Sequence, residues 1–241
     1  MTENQNKNSI IRMFHVHKDY GAKKALNDIT LDISNNEFLF IRGPSGAGKT
    51  TLLKLLYLGE TVSKGQVLID GMNLSRIPRK RIPFLRRKYG IIFQDYKLIA
   101  TKTVFDNVAL VLEAMGKKRR FIEKKVRSVL RTVDMEERLH SLPPMLSGGE
   151  QQRIAVARAI VGDPKIILAD EPTGNLDEDS ADIILDLLKR FHTRGATVVI
   201  ATHDKELIRK TSKTGGRVIH LKEGCLQKTT TSESGFDDSL L

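Results

Sequence analysis

At 241 residues, with 40% hydrophobic and 29% charged side chains, the chain has the size and composition of one globular domain, or of one domain with a lobe inserted in it. Its longest apolar runs, Ile166 to Ala169 and Thr197 to Ala201, fall far short of the roughly 18 residues of a membrane span, and Met1 to Ser9 lacks the apolar stretch of a secretory signal, so a cytoplasmic protein is expected. A single cysteine, Cys225, excludes an internal disulfide and a multi-cysteine metal site, while the formal charge of +11 points to an anionic partner without choosing among nucleotide, nucleic acid and bilayer surface.

The polar ends, 1–9 and roughly 227–241, read as flexible tails around a folded body of 10–226. From Ile10 to Phe40, short alternating runs (Ile11 to Val16, Ile29 to Ile33) predict strands of an antiparallel sheet. Glu37 to Arg42 is a further strand, closed by Gly43, and Lys49 to Leu58 is a helix with Leu52, Leu53, Leu55 and Leu56 on its core side. Arg76 to Lys88 is strongly basic. Thr103 to about Leu139 is rich in helix formers, broken at Gly116-Lys117-Lys118. Strands and helices then alternate: Ile166 to Ala169, Ser180 to His192, Ala196 to Thr202. Such alternation implies an α/β fold with a mostly parallel core sheet, an antiparallel β subdomain before it, and a helical subdomain inserted at about 95–158.

Three segments carry chemistry. Gly43-Pro44-Ser45-Gly46-Ala47-Gly48-Lys49-Thr50 has two glycines, a lysine and a hydroxyl at the spacing of a phosphate loop, between a strand and a helix. Its glycines let backbone N–H groups turn towards phosphate oxygens, and the helix start adds positive potential. Lys49 is placed to reach the β- and γ-phosphates, the Thr50 hydroxyl to ligate Mg²⁺, and Thr51 completes the nucleotide-binding set. Asp170 and Glu171 end an apolar strand, where a carboxylate holds Mg²⁺ (Asp170) and a second faces the attacking water as general base (Glu171). In Leu146-Ser147-Gly148-Gly149-Glu150-Gln151, Ser147 and Glu150 have the spacing of a helix capping box. Capping leaves two adjacent glycines unexplained, unless a phosphate approaches that helix start closely.

These segments, in this order and spacing, resemble the ABC ATPases across nearly all of residues 11–226. The resemblance implies that Tyr20 stacks on adenine, and that Gln94, after the strand Gly90 to Phe93, joins the metal site and links it to a membrane partner. It gives Asp177, in Gly174-Asn175-Leu176-Asp177, a place at a dimer interface, and His203 a contact to the γ-phosphate. Each has a plainer alternative: packing for Tyr20, a helix cap for Asp177, a strand-end histidine for His203. The family arrangement further implies a head-to-tail homodimer, with each ATP held between one chain's phosphate loop and the other's Ser147, Gly148, Gly149 and Glu150. Lys49, Gln94, Glu171 and His203 would then act on the ATP, with Mg²⁺ as cofactor.

Within the family, Ile82-Pro83-Phe84-Leu85-Arg86-Arg87 continuing into Gly90-Ile91-Ile92-Phe93-Gln94-Asp95 resembles the FtsE cell-division branch. That branch implies an FtsX-like integral membrane partner, a peripheral place on the inner face of the cell membrane, and ATP turnover coupled to cell-wall hydrolysis. The lipoprotein-release and macrolide-exporter ATPases carry near-identical stretches at Leu146 to Ala159 and Ala169 to Asp177, so an exporter subunit is the alternative. No sustained heptads follow the phosphate loop, and one set of motifs is present. Both features argue against DNA-repair and translation ATPases, and nucleic acid is not an expected partner.

Overall fold

The computed structural model describes residues 8–174, 176–212 and 216–227. Most of both expected tails therefore lies outside the described residues, as does Asn175. The strand expected from Ile10 already begins at Ser9. The chain divides into two compact units, Met1–Ile82 with Thr197–Leu241, and Pro83–Ala196.

In the first unit β1 (Ser9–Tyr20), β2 (Lys23–Ser34), β3 (Phe38–Arg42), α1 (Lys49–Leu56), β4 (Lys64–Ile69) and β5 (Met72–Asn73) follow one another. The chain returns to it as β8 (Thr197–Thr202), α7 (Lys205–Ser212), β9 (Arg217–Lys222) and β10 (Cys225–Leu226). The expected antiparallel sheet has the order β2-β1-β4-β5. On β2 the buried residues Leu26, Ile29, Leu31 and Ile33 show why: apart from one irregular step they alternate with exposed polar side chains, as a half-buried strand requires. The second sheet segment runs β10-β9-β3-β8, and β3 is parallel to both β9 and β8. Phe38 to Ile41 and every residue of β8 are buried, the continuous apolar run of a strand covered on both faces. The four leucines of α1 are buried as expected, each contributing about 1.5–3 kcal/mol. The helix stops two residues early because Leu58 turns left-handed (φ 57°) and Gly59 N–H donates to Lys54 O at 2.8 Å. β4, β5, β9 and β10 were not anticipated.

The helix α2 (Ile82–Arg86) starts at the last residue of the first unit. The second unit then holds β6 (Tyr89–Ile92), α3 (Val104–Ala114), α4 (Arg119–Thr132), α5 (Gly148–Ile160), β7 (Ile166–Asp170) and α6 (Glu178–Thr193). β6 and β7 pair in parallel. α3 opens with a Thr103–Asp106 capping box, and the chain breaks at Gly116 as its sequence suggests. α6 buries Ile184, Leu185, Leu187, Leu188 and Phe191, one face of a 3.6-residue period.

On β9, His220 lies beside Arg42 of β3 in the parallel register. Burial, and then the nearby guanidinium of Arg42, hold its imidazole below the ordinary value of 6.5. The unfolded chain therefore takes up this proton first as the pH drops, and the folded state loses stability below about pH 6.5. The thermal midpoint is expected to fall between pH 7.5 and pH 5.5, with part of that fall missing in His220→Gln. Equal falls in both proteins would remove His220 from the acid sensitivity.

Candidate functional site

Between β3 and α1 the chain turns through Gly43 to Gly48. A Cβ on Gly43 would run into the carbonyl oxygen of Leu221, so the loop starts with its backbone pressed against β9. At its end Gly48 has φ 105°, a conformation closed to L side chains, and a Cβ there would sit 2.6 Å from Ala25 O. The loop is also tied in its middle, where Gly224 N–H donates to Ala47 O at 3.0 Å and Ala47 N–H donates to Pro44 O at 3.2 Å. Gly48 caps α1 without a side-chain hydrogen bond, which leaves that helix start to backbone groups. Pro44, Ser45, Gly46 and Thr50 are exposed along the outer side of the loop, and Thr51 is half-buried.

Lys49 is buried, and its Nζ donates to Gly43 O at 2.8 Å and to Pro44 O at 3.2 Å. The ammonium thus spans the loop's own carbonyls, within reach of an anion held by the loop. At the end of β1, Tyr20 is 41% exposed, so its ring is open to stacking. Lys18 Nζ lies 4.8 Å from the ring centroid and pairs with Glu60 at 2.9 Å. His203 is exposed just beyond β8. The next residue, Asp204, receives Glu206 N–H at 2.8 Å and Leu207 N–H at 3.1 Å, so the histidine sits on a turn fixed by the start of α7.

In the second unit Gln94 is exposed two residues after β6. The chain then passes through two left-handed residues, Tyr96 (φ 58°) and Lys97 (φ 50°). Arg158 of α5 clamps both: Nη2 donates to Tyr96 O and Nη1 to Lys97 O, each at 2.6 Å. Burial lowers the pKa of that guanidinium, yet it stays cationic at neutral pH.

The capping box of α5 is present: Glu150 N–H donates to Ser147 Oγ at 3.2 Å and Ser147 N–H to Glu150 Oε2 at 2.8 Å. The Ser147 amide, chiefly, holds the Glu150 carboxyl below the usual carboxylate range. The two glycines also have neighbours within the chain, because a Cβ on Gly148 would lie 3.2 Å from the Tyr96 hydroxyl and one on Gly149 would lie 2.9 Å from Ser180 Oγ. Ser147 and Gly148 are nevertheless exposed, so this helix start faces outward. Ser147→Ala is expected to lower stability by about 1 kcal/mol. Glu150→Gln should shift the urea midpoint much less, since an amide oxygen still accepts from Ser147 N–H. A larger loss in Glu150→Gln than in Ser147→Ala would contradict this account.

β7 ends in Asp170, and Glu171 follows at φ 44°, buried and left-handed. A non-glycine residue held there costs of order 1–3 kcal/mol, which the surrounding structure must impose. Part of that structure is Gln152 of α5, 1% exposed, whose Nε2 donates to Pro172 O at 2.6 Å. Asp177 is the N-cap of α6, accepting from Ser180 N–H and Ser180 Oγ–H, both at 2.9 Å. Those bonds hold its carboxyl below the usual range. The helix-cap reading of Asp177 is therefore met, and its exposure leaves it available to a second partner.

The structure brings Tyr20, residues 43–51 and His203 into the first unit, and Gln94, residues 147–150, Asp170, Glu171 and Asp177 into the second. The bracing residues Ala25, Leu221, Gly224, Gln152 and Arg158 were not anticipated. Arg158 carried a signal, a charge within the apolar run Ile154 to Ile160. The contacts of the others join positions far apart in the chain.

The family described as ABC transporter matches residues 26–174. The cell division ATP-binding protein FtsE of Bacillus subtilis (strain 168) is 45% identical over 218 residues, 90% of this chain and 94% of its own. The protein of that name from Streptococcus pneumoniae (strain D39) is 43% identical over 232 residues, 95% of this chain and 100% of its own. Among solved structures, the dimeric post-hydrolysis state of the ATP-binding cassette MJ0796 bound to ADP and Pi matches with a TM-score of 0.84 and 34% identity. It covers 94% of this chain and 100% of that one.

Proposed function

The chain belongs to the ABC transporter family as an FtsE-like ATPase subunit of α/β phosphate-loop fold, and on that premise we propose how its residues turn ATP over and what the turnover drives. The observation that carries the reading is the phosphate loop, braced from behind, tied by Lys49, and bare at the start of α1. The backbone N–H groups at 46 and 48–50 take the phosphates, Lys49 moves from its loop carbonyls to the β- and γ-phosphate oxygens, and Tyr20 stacks on the adenine. Glu171 accepts the proton of a water attacking the γ-phosphorus as the bond to ADP breaks, Gln94 orients that water, and His203 donates to a γ-phosphate oxygen.

Thr50, Gln94 and Asp170 each carry the kind of hard oxygen donor that Mg²⁺ prefers, and would hold the ion. Among the described residues no cluster of three or more His, Cys, Asp or Glu could hold a metal ion. When bound, Mg²⁺ neutralises charge developing on the transferred phosphoryl group.

Two copies pair head to tail, with Ser147, Gly148, Gly149 and Asp177 of each closing over the other's nucleotide. The dimeric state of the MJ0796 cassette supports this arrangement. Among the described residues no helix is long and apolar enough to cross a membrane. The identity to two FtsE proteins supports an FtsX-like membrane partner at the inner face, through which ATP turnover controls cell-wall hydrolysis. A tagged chain recovered with Mg-ATP from detergent-extracted membranes of its own cell is expected to bring down a four-span FtsX-like protein. Recovery of a lipoprotein-release or efflux permease instead would move the chain to the exporter branch.

A further inference from the structure

The hairpin behind the phosphate loop has a geometry that bears on how the loop binds. Lys222 and Cys225 pair across it, and its two central residues, Glu223 and Gly224, both have positive φ (50° and 76°), as a tight two-residue hairpin requires. Gly224 is gripped on three sides. Its N–H donates to Ala47 O at 3.0 Å, its C=O accepts from Asn27 N–H at 2.8 Å, and a Cβ on it would meet Ala25 O at 2.9 Å. A carbonyl and the following N–H point in opposite directions across a trans peptide. With the Ala47 carbonyl drawn back onto Gly224, the N–H of Gly48 must point away from the hairpin, to the outer side of the loop. That N–H has no hydrogen bond among the described residues.

We propose that Gly224 is a positioning residue for nucleotide binding: by holding the Ala47 carbonyl it aims the Gly48 N–H at the phosphates. The inference rests on the reading of residues 43–50 as the phosphate site. Without the clamp the Ala47–Gly48 peptide is free to rotate. Turned over, it presents a carbonyl oxygen to the phosphate where a donor is needed, so one hydrogen bond to a charged group is lost and a repulsion replaces it. Because ADP and ATP share the phosphates held in the loop, the loss falls on both. The chemical step, which depends on groups outside the hairpin, is spared.

The test is Gly224→Ala, whose side chain meets Ala25 O and whose φ of 76° is strained for alanine. Affinities for Mg-ADP and Mg-ATP are expected to fall by similar factors of about 10- to 100-fold, the worth of one hydrogen bond to a charged group, with kcat at saturation nearly unchanged. In ¹⁵N spectra, the Gly48 amide of the unsubstituted protein shifts on adding Mg-ADP, and at saturating Mg-ADP the Gly224→Ala amide does not reach that position. Unchanged affinities, or a loss confined to kcat, would overturn the proposal. Should Gly224→Ala fail to fold, the unsubstituted protein still decides it. The scalar coupling across the hydrogen bond between Gly224 N and the Ala47 carbonyl carbon must be present with and without Mg-ADP, and its disappearance on binding overturns the clamp. If the unsubstituted protein binds no nucleotide at all, the functional reading fails first.

Discussion

Glu171→Gln is expected to reduce ATP turnover by roughly 10²–10⁴-fold, the range for loss of a general base, while nucleotide binding survives. The substitution exchanges one oxygen for an NH₂ group and leaves shape and volume nearly unchanged. The left-handed backbone at φ 44°, imposed by the residues around it, has no reason to relax. Binding depends on the phosphate loop, which the substitution does not touch. The ATP-bound protein should therefore accumulate as a dimer that no longer reopens, seen as a doubled mass by light scattering with Mg-ATP present. Phosphate release at the normal rate would show that another group takes the proton.

Gly48→Ala should act at the opposite end of the reaction. Its φ of 105° is outside the region that alanine occupies, and the new methyl group would lie 2.6 Å from Ala25 O and 2.9 Å from Leu26 Cδ2. The leucine can move, but the carbonyl belongs to β2 and cannot move without disturbing the antiparallel sheet. A stability loss of roughly 2–3 kcal/mol is expected from the strain and the overlap. Nucleotide affinity should fall by on the order of 10²-fold, because the peptide carrying the loop's central donors is displaced. The two effects separate in one calorimetric series with and without Mg-ADP. A destabilised protein that still gains its full ADP-induced shift in thermal midpoint would mean that the Gly48 peptide is not part of the phosphate site.

Much of the architecture could be read from the sequence where local pattern and tertiary demand agree. The strands β3, β7 and β8 were visible as unbroken apolar runs because parallel strands are covered on both faces. The Ser147–Glu150 capping box was visible because cap and reciprocal acceptor are three residues apart. α6 begins at Glu178, two residues before the expected Ser180, since Asp177 caps it and two acids fill its first turn, where the helix dipole favours them. The brace behind the phosphate loop could not be read this way. Ala25, Ala47, Leu221 and Gly224 meet through backbone atoms, and a carbonyl has no identity in a sequence. β9 and β10 were missed for a related reason: both are short and next to a polar tail, the partner of β9, β3, is almost 180 residues earlier, and β10 pairs with β9.

Arg158 turns the second unit's α5 into a lever. From Ser147, at the outward tip, to Arg158, locked onto the carbonyls after Gln94, the helix covers eleven residue steps, or about 16 Å at 1.5 Å per residue. A rigid rod of that length magnifies small rotations. Tilting it by about 5° from the Arg158 end carries the tip through roughly 1.4 Å, which is about the difference between a made and a broken hydrogen bond. On the proposed reading, a small displacement of the loop that carries Gln94 would therefore be felt at Ser147 as a change in its distance to a phosphate oxygen.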